Sequence, residues 1–466
     1  MALALGAGCA VGGFLPASPW LLLGAAAALA AALLRRSNVL LWAGLFCLGT
    51  VLGGGDRLPE RLWAQLLLLR QVRGTVISVP ERHERVVSCV LGVPSLGVRL
   101  LAYLPLQDAP SPGDVVRLVG RFEAPPGGWG VYLRRRGIAG TFWAEEIESV
   151  EEGSGGIPRV FYMLREWTLD AIGRTWPTDA GPLVQALLLG ARGVLGRDVK
   201  EGFRRAGVAH LLALSGLHLG IVVYGLWKLL GLFRLRPGRR YLLLFLAVGL
   251  YIGLVGGRVS LVRAGIMFGL LGLFWTLWER GAVLRDWYDP LQALSAAAFL
   301  VLLLWPRSAM DLGFQLSFVA TAGIVLGWPA WRDSPGRAKL PRILRPAGDL
   351  LWVSLCAQGA TMGLVGSAFG YISPYGIVAN LLLIPWTGLI IWAGLSLLAL
   401  SPFGFATIPA GLAARYLVLP YLTAVDWLAE LPGAQLPVGR YFGLWYAFAA
   451  LVLISLWSWH RSRNLF

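Results

Sequence analysis

The 466-residue sequence is poor in charged side chains. Only 14% of its residues are Asp, Glu, Lys or Arg, while 57% are hydrophobic and the mean hydropathy is +0.66. This composition excludes an ordinary soluble domain, in which about a quarter of the residues are charged. It predicts a protein that crosses a membrane several times, and the 21 tryptophans suit rings that settle at a membrane interface.

Cysteine, lysine and histidine are scarce, and their scarcity excludes several chemistries. The four cysteines are spread along the chain, three of them in apolar segments, so they predict no disulfide framework. None of the three lysines lies in a G-x-x-x-x-G-K-[ST] loop, which excludes ATP hydrolysis of that kind. The sequence HERVV at 83–87 lacks the second histidine of an H-E-x-x-H zinc protease. We therefore expect no enzyme, no cofactor and no metal site.

Apolar segments predict about 12 membrane spans. No basic region precedes the first apolar run, so residues 1–55 are interpreted as membrane anchor and not as a cleaved signal. Residues 208–460 form the main membrane domain. The predicted spans are 2–15, 19–34, 38–54, 208–231, 241–256, 259–278, 290–306, 312–330, 349–370, 376–400, 404–424 and 440–459.

Residues 70–152 have a different texture. Short alternating runs broken by Pro and Gly predict about five strands, which suits a small all-β, OB-like barrel. Ten Arg balance ten acidic residues here, so the domain has no bulk field that would attract an anion. The segment YLRRRG, with Tyr132, Arg134, Arg135 and Arg136, joins an aromatic ring to clustered cations as a strand-binding surface would. A solvated loop is the alternative.

Residues 153–207 predict two amphipathic helices, 158–175 and 180–206, lying along the outer membrane interface. Basic residues outnumber acidic ones there, which is unusual for an outer face. The later spans nevertheless favour this side, because each inward turn then falls on a basic loop, such as 234–240 and 332–345. The positive-inside rule places both termini in the cytoplasm and the β-domain outside. The net charge of +16 indicates anionic partners, lipid or nucleic acid.

Polar side chains interrupt the apolar segments. His210 and His218 are two turns apart in the predicted span 208–231, on one side of a helix, and Ser215-Gly216 between them suits a helix break. Such groups are costly in a membrane and normally face a partner or a wet cavity. Further examples in other segments are Arg258, Arg263, Asp311, Gln315, Gln358 and Asn380.

These residues predict a hydrated route, or a buried polar network, through a helix bundle. The alternative for His210, Ser215 and His218 is helix-helix hydrogen bonding without a transport role. For Arg263 and Asp311 it is a structural ion pair.

Several blocks of the sequence resemble the ComEC family of competence proteins. They are ALLLGARGVLGRDVKEGFRRAGVAHLLALSGLHLG, VSLVRAGIM, DPLQALSAAAFLVLLLWPRSAMDLGFQLSFVATAGI and SPYGIVANLLLIPW, in that order. The segment PGDVVRLVGRFEAPPGGWGVYLRRRGI is similar to the extracytoplasmic OB-like module of the same family. The resemblance covers about residues 1–460.

The resemblance implies a multi-pass protein of the bacterial cytoplasmic membrane that brings single-stranded DNA inward during natural transformation. Many family members continue into a metallo-β-lactamase-like nuclease domain, whereas this sequence stops at Phe466 and has no H-x-H pair. The resemblance therefore implies a separate nuclease, an extracytoplasmic DNA receptor and a cytoplasmic ATPase or helicase as partners, beside DNA and membrane lipids.

Two sets of residues follow from this hypothesis. The outer mouth would be lined by Arg204, Arg205, Arg258 and Arg263, with Tyr132, Arg134, Arg135 and Arg136 on the β-domain. The pathway would contain His210, Ser215, His218, Asp311, Gln315, Gln358 and Asn380. Two other functions fit the same residues: secondary transport of small anions or envelope-polymer precursors, and a purely structural membrane scaffold.

Overall fold

A computed structural model describes residues 60–106, 109–153, 156–279, 281, 290–439 and 441–449. The spans predicted at 2–15, 19–34 and 38–54 lie outside these residues, as does part of the span predicted at 440–459. The chain forms two compact units. The first contains the chain up to Leu195 together with Leu214–Gln315 and Ile391–Gly411, and the second contains Gly196–Ala213, Leu316–Ile390 and the chain from Leu412 onward.

A closed β-barrel occupies the N-terminal part of the first unit. Its strands are β1 Gln71–Val76, β2 Val87–Val93, β3 Val98–Leu104, β4 Val115–Glu123 and β5 Gly140–Glu151. Alternate side chains point inward, as the alternating sequence predicts, and the fully buried core includes Leu91, Leu100, Leu104, Leu118 and Phe142. A preceding helix, α1 Glu60–Leu67, adds Leu66 to this core.

Strand pairing closes the barrel. Strand β1 pairs with both β2 and β4, β2 pairs with β3, and β5 pairs with β4. The closing pair, β3 with β5, is the parallel one. Five strands in this closed order agree with the OB-like barrel expected from the sequence. A two-residue strand, Glu81–Arg82, extends the sheet beside β2, and helix α2 Gly127–Arg135 connects β4 to β5.

The rest of the described chain is mostly helical. The helices are α3 Gly156–Thr175, α4 Gly181–Leu189, α5 Arg197–Arg205, α6 Ala209–Leu212, α7 Gly216–Leu232, α8 Pro237–Leu254, α9 Val259–Glu279, α10 Pro290–Leu304, α11 Leu312–Arg332, α12 Pro335–Lys339, α13 Arg345–Phe369, α14 Gly376–Leu400, α15 Thr407–Ala413 and α16 Leu419–Glu430. A π-helical turn, Ala414–Val418, joins α15 to α16, and two short strands, Tyr371–Ile372 and Leu436–Pro437, pair with each other.

Five of the described helical segments are long and apolar enough to cross a membrane. They are Ser260–Trp278, Leu312–Arg332, Arg345–Phe369, Gly376–Phe403 and Thr407–Glu430, and α7 and α10 are shorter apolar helices. The chain is therefore a helical membrane protein with an inserted β-barrel. The predicted number of about 12 spans is not established by the described residues.

The local structure differs from the sequence predictions at three places. The span predicted at 208–231 is divided into two helices at the expected break, because the backbone is extended at Ala213 and Ser215. The helix predicted at 180–206 is wrong as one element, since it is split into α4, a 3-10 turn at Arg192–Val194 and α5. Most of YLRRRG lies within α2, so the alternative of a solvated loop does not hold.

Helix α4 is a core helix and not the amphipathic interfacial helix predicted there. Seven of its nine residues are buried, and Gly190 ends it in the left-handed conformation with φ 67°. Three side chains donate hydrogen bonds to the carbonyls at its C-terminal end: Tyr251 Oη to Leu188 O at 2.8 Å, Arg165 Nη1 to Leu189 O at 2.7 Å and Arg258 Nη2 to Gly190 O at 3.1 Å. Side chains thus satisfy carbonyls that the end of a helix leaves without partners.

Candidate functional site

The break between α6 and α7 creates a polar cluster in the first unit. Ser215 stands at the N-cap position of α7, and its hydroxyl lies 3.2 Å from Nδ1 of the fully buried His218. The carbonyl of Leu214, which the break frees, accepts a 2.6 Å hydrogen bond from Ser260 Oγ in the first turn of α9. A Cβ on Gly216 would lie only 3.5 Å from Cβ of Ala264, so α7 begins close against α9.

Arg263, one turn after Ser260, continues this first polar cluster. It is 2% exposed, and its Nη2 donates to Gly313 O at 2.9 Å. The carboxylate of Asp311 attracts its positive charge. Asp311 Oδ1 also accepts the backbone N–H of Phe314 at 2.8 Å, which caps α11. Gln315 Nε2 donates to Ala309 O at 2.9 Å. These three predicted residues therefore meet at the start of α11.

A second polar cluster lies in the second unit. The His210 imidazole interacts with the Asn380 amide, and Gln358 Nε2 donates to Ser373 O at 2.9 Å. Gly207, with φ 76°, presses against this segment, because a Cβ there would lie 2.6 Å from Cβ of Ser373. Ser373 Oγ and Asn380 Oδ1 are buried with no hydrogen-bond partner among the described residues.

The predicted pathway residues thus form two groups. Ser215, His218, Asp311 and Gln315 belong to the first unit, and His210, Gln358 and Asn380 belong to the second. The expectation that the two histidines share one side of a helix is wrong, because they belong to α6 and α7 in different units. Ser260 and Ser373 were not singled out from the sequence. The available signal was a serine inside the apolar block VSLVRAGIM and the serine that begins SPYG.

The predicted mouth arginines are also divided, and most have partners. Arg204 makes a bidentate pair with Glu201, with its Nε 2.7 Å from Oε2, and its guanidinium carbon lies 5.3 Å from the Tyr371 ring centroid. Arg258 pairs with Glu81 at 2.7 Å. Arg205 is exposed at the end of α5. The charges of Arg204 and Arg258 are therefore balanced by neighbouring carboxylates.

Helix α2 presents an aromatic and basic patch on the barrel. Tyr132 stacks on Trp129, with ring centroids 5.1 Å apart and an interplanar angle of 16°, and both rings are about two-fifths exposed, at 40% and 44%. Arg136 Nη1 donates to Tyr132 Oη at 3.0 Å, and its guanidinium lies over the same ring. Arg134 is exposed, and the side chain of Arg135 lies outside the described part.

Two further exposed features of the barrel were missed. Tyr103 and Trp143 stack at 4.3 Å because parallel β3 and β5 place them opposite each other. Trp129 precedes Tyr132 by one turn of α2, and it lies outside the segment YLRRRG that the sequence singled out. Both stacks resemble surfaces on which bases of a single strand can lie.

Residues 187–463 match the protein family described as "Competence protein". The chain is 28% identical over 301 residues to "ComE operon protein 3" of Bacillus subtilis, covering 62% of this chain and 37% of that protein. It is 27% identical over 321 residues to "Competence protein ComA" of Neisseria gonorrhoeae, covering 64% and 43%.

A third relative is the "Uncharacterized protein YcaI" of Escherichia coli, 25% identical over 306 residues, covering 62% of this chain and 38% of that protein. The matched regions thus span about two-fifths of each relative's length. No solved structure matches the chain. The family match covers more than half of the sequence and includes every residue of both polar clusters. The chain therefore belongs to the competence protein family.

Proposed function

We propose that this chain conducts single-stranded DNA inward across the bacterial cytoplasmic membrane during natural transformation. The observation that carries the proposal is the concentration of polar side chains at breaks and starts of otherwise apolar helices, in the two polar clusters. Polar groups at such positions usually mark a substrate pathway, because an isolated polar side chain is costly in hydrocarbon. The family description "Competence protein" and the name of one relative, "Competence protein ComA", support the same process.

The barrel supplies the second support. A DNA backbone carries one charge per nucleotide, while its bases have apolar faces. The stacked rings of α2 and of β3 and β5 suit the bases, and the guanidinium of Arg136 suits a phosphate. Balanced charge on the barrel makes it a weak collector that presents DNA to the membrane domain and does not retain it.

The proposal includes an orientation and partners. The barrel lies outside and both termini lie in the cytoplasm, because the basic loops then face inward. A DNA receptor outside, a separate nuclease and a cytoplasmic ATPase or helicase complete the process.

A matched pair of variants in α13 tests the pathway. Gln358 donates across to the Ser373 carbonyl, whereas Thr361 Oγ1 donates within its own helix to Ala357 O at 2.8 Å. Gln358→Ala should lower transformation about 10-fold or more at unchanged protein level, and Thr361→Ala should leave it unchanged. Transformation frequency is measured beside the amount of membrane-inserted protein.

In the first polar cluster the suitable variant is Ser215→Ala, since the ring of His218 is fully buried and its removal would also leave a cavity. His210→Ala tests the second cluster. If transformation falls only in proportion to protein level in all these variants, the residues are structural and the pathway is refuted.

A transporter of small anions is the second candidate, and the broken α6–α7 segment favours it. Discontinuous helices place helix termini at the substrate site of many transporters. The two functions differ in one measurement: binding of oligonucleotides should strengthen with strand length and fall steeply with salt for a DNA channel. Binding that is independent of strand length would favour the small-anion transporter.

A further inference from the structure

The segment between α11 and α13, in the second unit, presents cations and apolar side chains on one short loop. Both helices are long and apolar enough to cross a membrane, so the residues that join them, 333–344, lie at a membrane surface. Cations at this depth can reach the headgroup layer of the bilayer. Residues 332–345 contain one carboxylate, Asp333, and five cations: Arg332, Arg337, Lys339, Arg342 and Arg345.

The loop is ordered by its own side chains. Ser334 caps α12, since its Oγ accepts the backbone N–H of Arg337 at 3.1 Å. Both carboxylate oxygens of Asp349 in α13 accept hydrogen bonds from the Arg337 guanidinium, at 2.8 and 3.1 Å. Asp349 also accepts Trp331 Nε1, from the end of α11, at 2.7 Å. The loop is therefore fixed to both flanking helices before any partner arrives.

Arg345 closes the part of the loop that carries two other cations. Its Nε donates to Leu340 O at 3.2 Å and its Nη2 to Ala338 O at 3.3 Å. These bonds tie the end of the segment back to the end of α12. Lys339 and Arg342 lie between the tied positions, so that one small closed loop carries both of them.

The cations of this segment differ in whether a carboxylate compensates them. Arg332 pairs with Asp333 at 2.8 Å, so the positive charge of that arginine is balanced. Lys339 and Arg342 are exposed, and in the part of the chain that the structure describes neither has a carboxylate oxygen within 4.0 Å. These two charges are available to an external anion.

Two large apolar side chains follow Arg342 directly. Ile343 is 86% exposed and Leu344 is 51% exposed. Such side chains gain free energy by leaving water. At a bilayer surface they can enter the hydrocarbon while neighbouring cations stay at the headgroups, which is the arrangement of an interfacial anchor.

We propose that Lys339, Arg342, Ile343 and Leu344 form a lipid-binding loop for an anionic phospholipid. The two cations neutralise the headgroup phosphate, and the two apolar side chains contact the acyl chains. A DNA phosphate has the same charge but no acyl chain, so the exposed isoleucine and leucine favour lipid. This surface is independent of the proposed function, because lipid binding requires no DNA.

The test uses the full chain in phosphatidylcholine nanodiscs that contain a small fraction of photoreactive phosphatidylglycerol. After illumination, mass spectrometry of chymotryptic peptides gives the crosslinking yield within residues 333–344. Parallel nanodiscs with photoreactive phosphatidylcholine give the yield for a zwitterionic headgroup. The ratio of the two yields is the headgroup preference of the loop. The basic loop 234–240 of the same molecules is the internal control for insertion, and its yields should not change in any variant.

Arg342→Gln and Arg332→Gln are a matched pair of variants. Both remove one exposed arginine from the same segment, but only Arg332 has a carboxylate partner. Arg342→Gln should lower the preference for phosphatidylglycerol about 5-fold, which corresponds to ~1 kcal/mol per cation near an anionic surface. Lys339→Gln should act in the same direction, while Arg332→Gln should stay near the wild-type ratio because its charge is already compensated.

Ile343→Ser tests the apolar half of the loop. The side chain is exposed, so the substitution leaves no cavity. The yields for both lipids should fall and their ratio should stay constant, because the variant loses apolar contact and no charge.

Three results would overturn the proposal. Equal loss of preference in Arg342→Gln and Arg332→Gln would show that only the net charge of the segment matters. A wild-type ratio in both Lys339→Gln and Arg342→Gln would exclude a headgroup site on this loop. If single-stranded oligothymidine displaces phosphatidylglycerol from the wild-type loop and Ile343→Ser leaves both yields unchanged, the surface binds nucleic acid and not lipid.

Discussion

The packing of Gly207 against the second polar cluster gives a prediction with a built-in control. Gly207 and Gly370 lie in the same unit and have nearly the same backbone, with φ 76° and 75°. They differ in space: a Cβ on Gly207 would lie 2.6 Å from Cβ of Ser373, whereas a Cβ on Gly370 would have no neighbour within 4 Å.

The magnitudes follow from this difference. An alanine in the left-handed region costs ~1–2 kcal/mol at either position. Overpacking against Ser373 adds ~1–3 kcal/mol at Gly207 alone. Gly207→Ala should therefore destabilise the protein by about 2–5 kcal/mol, and Gly370→Ala by about 1–2 kcal/mol.

Thermal unfolding of the detergent-solubilised protein, followed by a thiol-independent dye, measures both variants. Adding Ser373→Gly to Gly207→Ala removes the atom in conflict, so the double variant should recover the overpacking part. Equal destabilisation by the two alanines, with no recovery in the double variant, would show that the α5–α6 junction does not pack on Ser373 and would remove the geometric basis of the second polar cluster.

Three further predictions concern the barrel and the topology. The isolated barrel, residues 70–152, should bind single strands weakly because its charges cancel, and submicromolar affinity at physiological salt that survives changing Arg134, Arg135 and Arg136 to Ala would contradict this. In cells without an outer-membrane barrier, a membrane-impermeant thiol reagent should label a cysteine placed at Ser111 but not one at Ser334; the reverse pattern would invert the topology. Cys89 is 1% exposed, and burial raises its pKa to about 12, so at pH 8 a maleimide should label it only when the barrel unfolds; rapid labelling of the native protein would place Cys89 outside the core.

The barrel was the most predictable part of the fold. Alternation with a period of two marks a strand directly, and the five strands expected within residues 70–152 all occur there. The break at Ser215 was also anticipated, because Ser and Gly inside an apolar run weaken a helix.

Other features depended on contacts that periodicity does not report. The sequence from 180 to 206 has helical character throughout, but Gly190 adopts φ 67° and Arg258 then binds its carbonyl, 68 residues away in sequence. Arg258 was expected at the outer mouth because its partner Glu81 lies in the barrel, far away in sequence. Long-range partners such as these decide whether a charge is available, and a single sequence gives no signal of them.

The shared end of α4 also has a consequence for biogenesis. Arg165 is synthesised before α4, whereas the donors to the other two carbonyls follow it, and the last of them, Arg258, is 68 residues beyond Gly190. At ~5–20 residues per second, a ribosome needs roughly 3–14 s to make that stretch. During this interval the carbonyl of Gly190 is without its final partner, so the end of α4 must stay in contact with water or with an insertion factor until α9 begins to emerge.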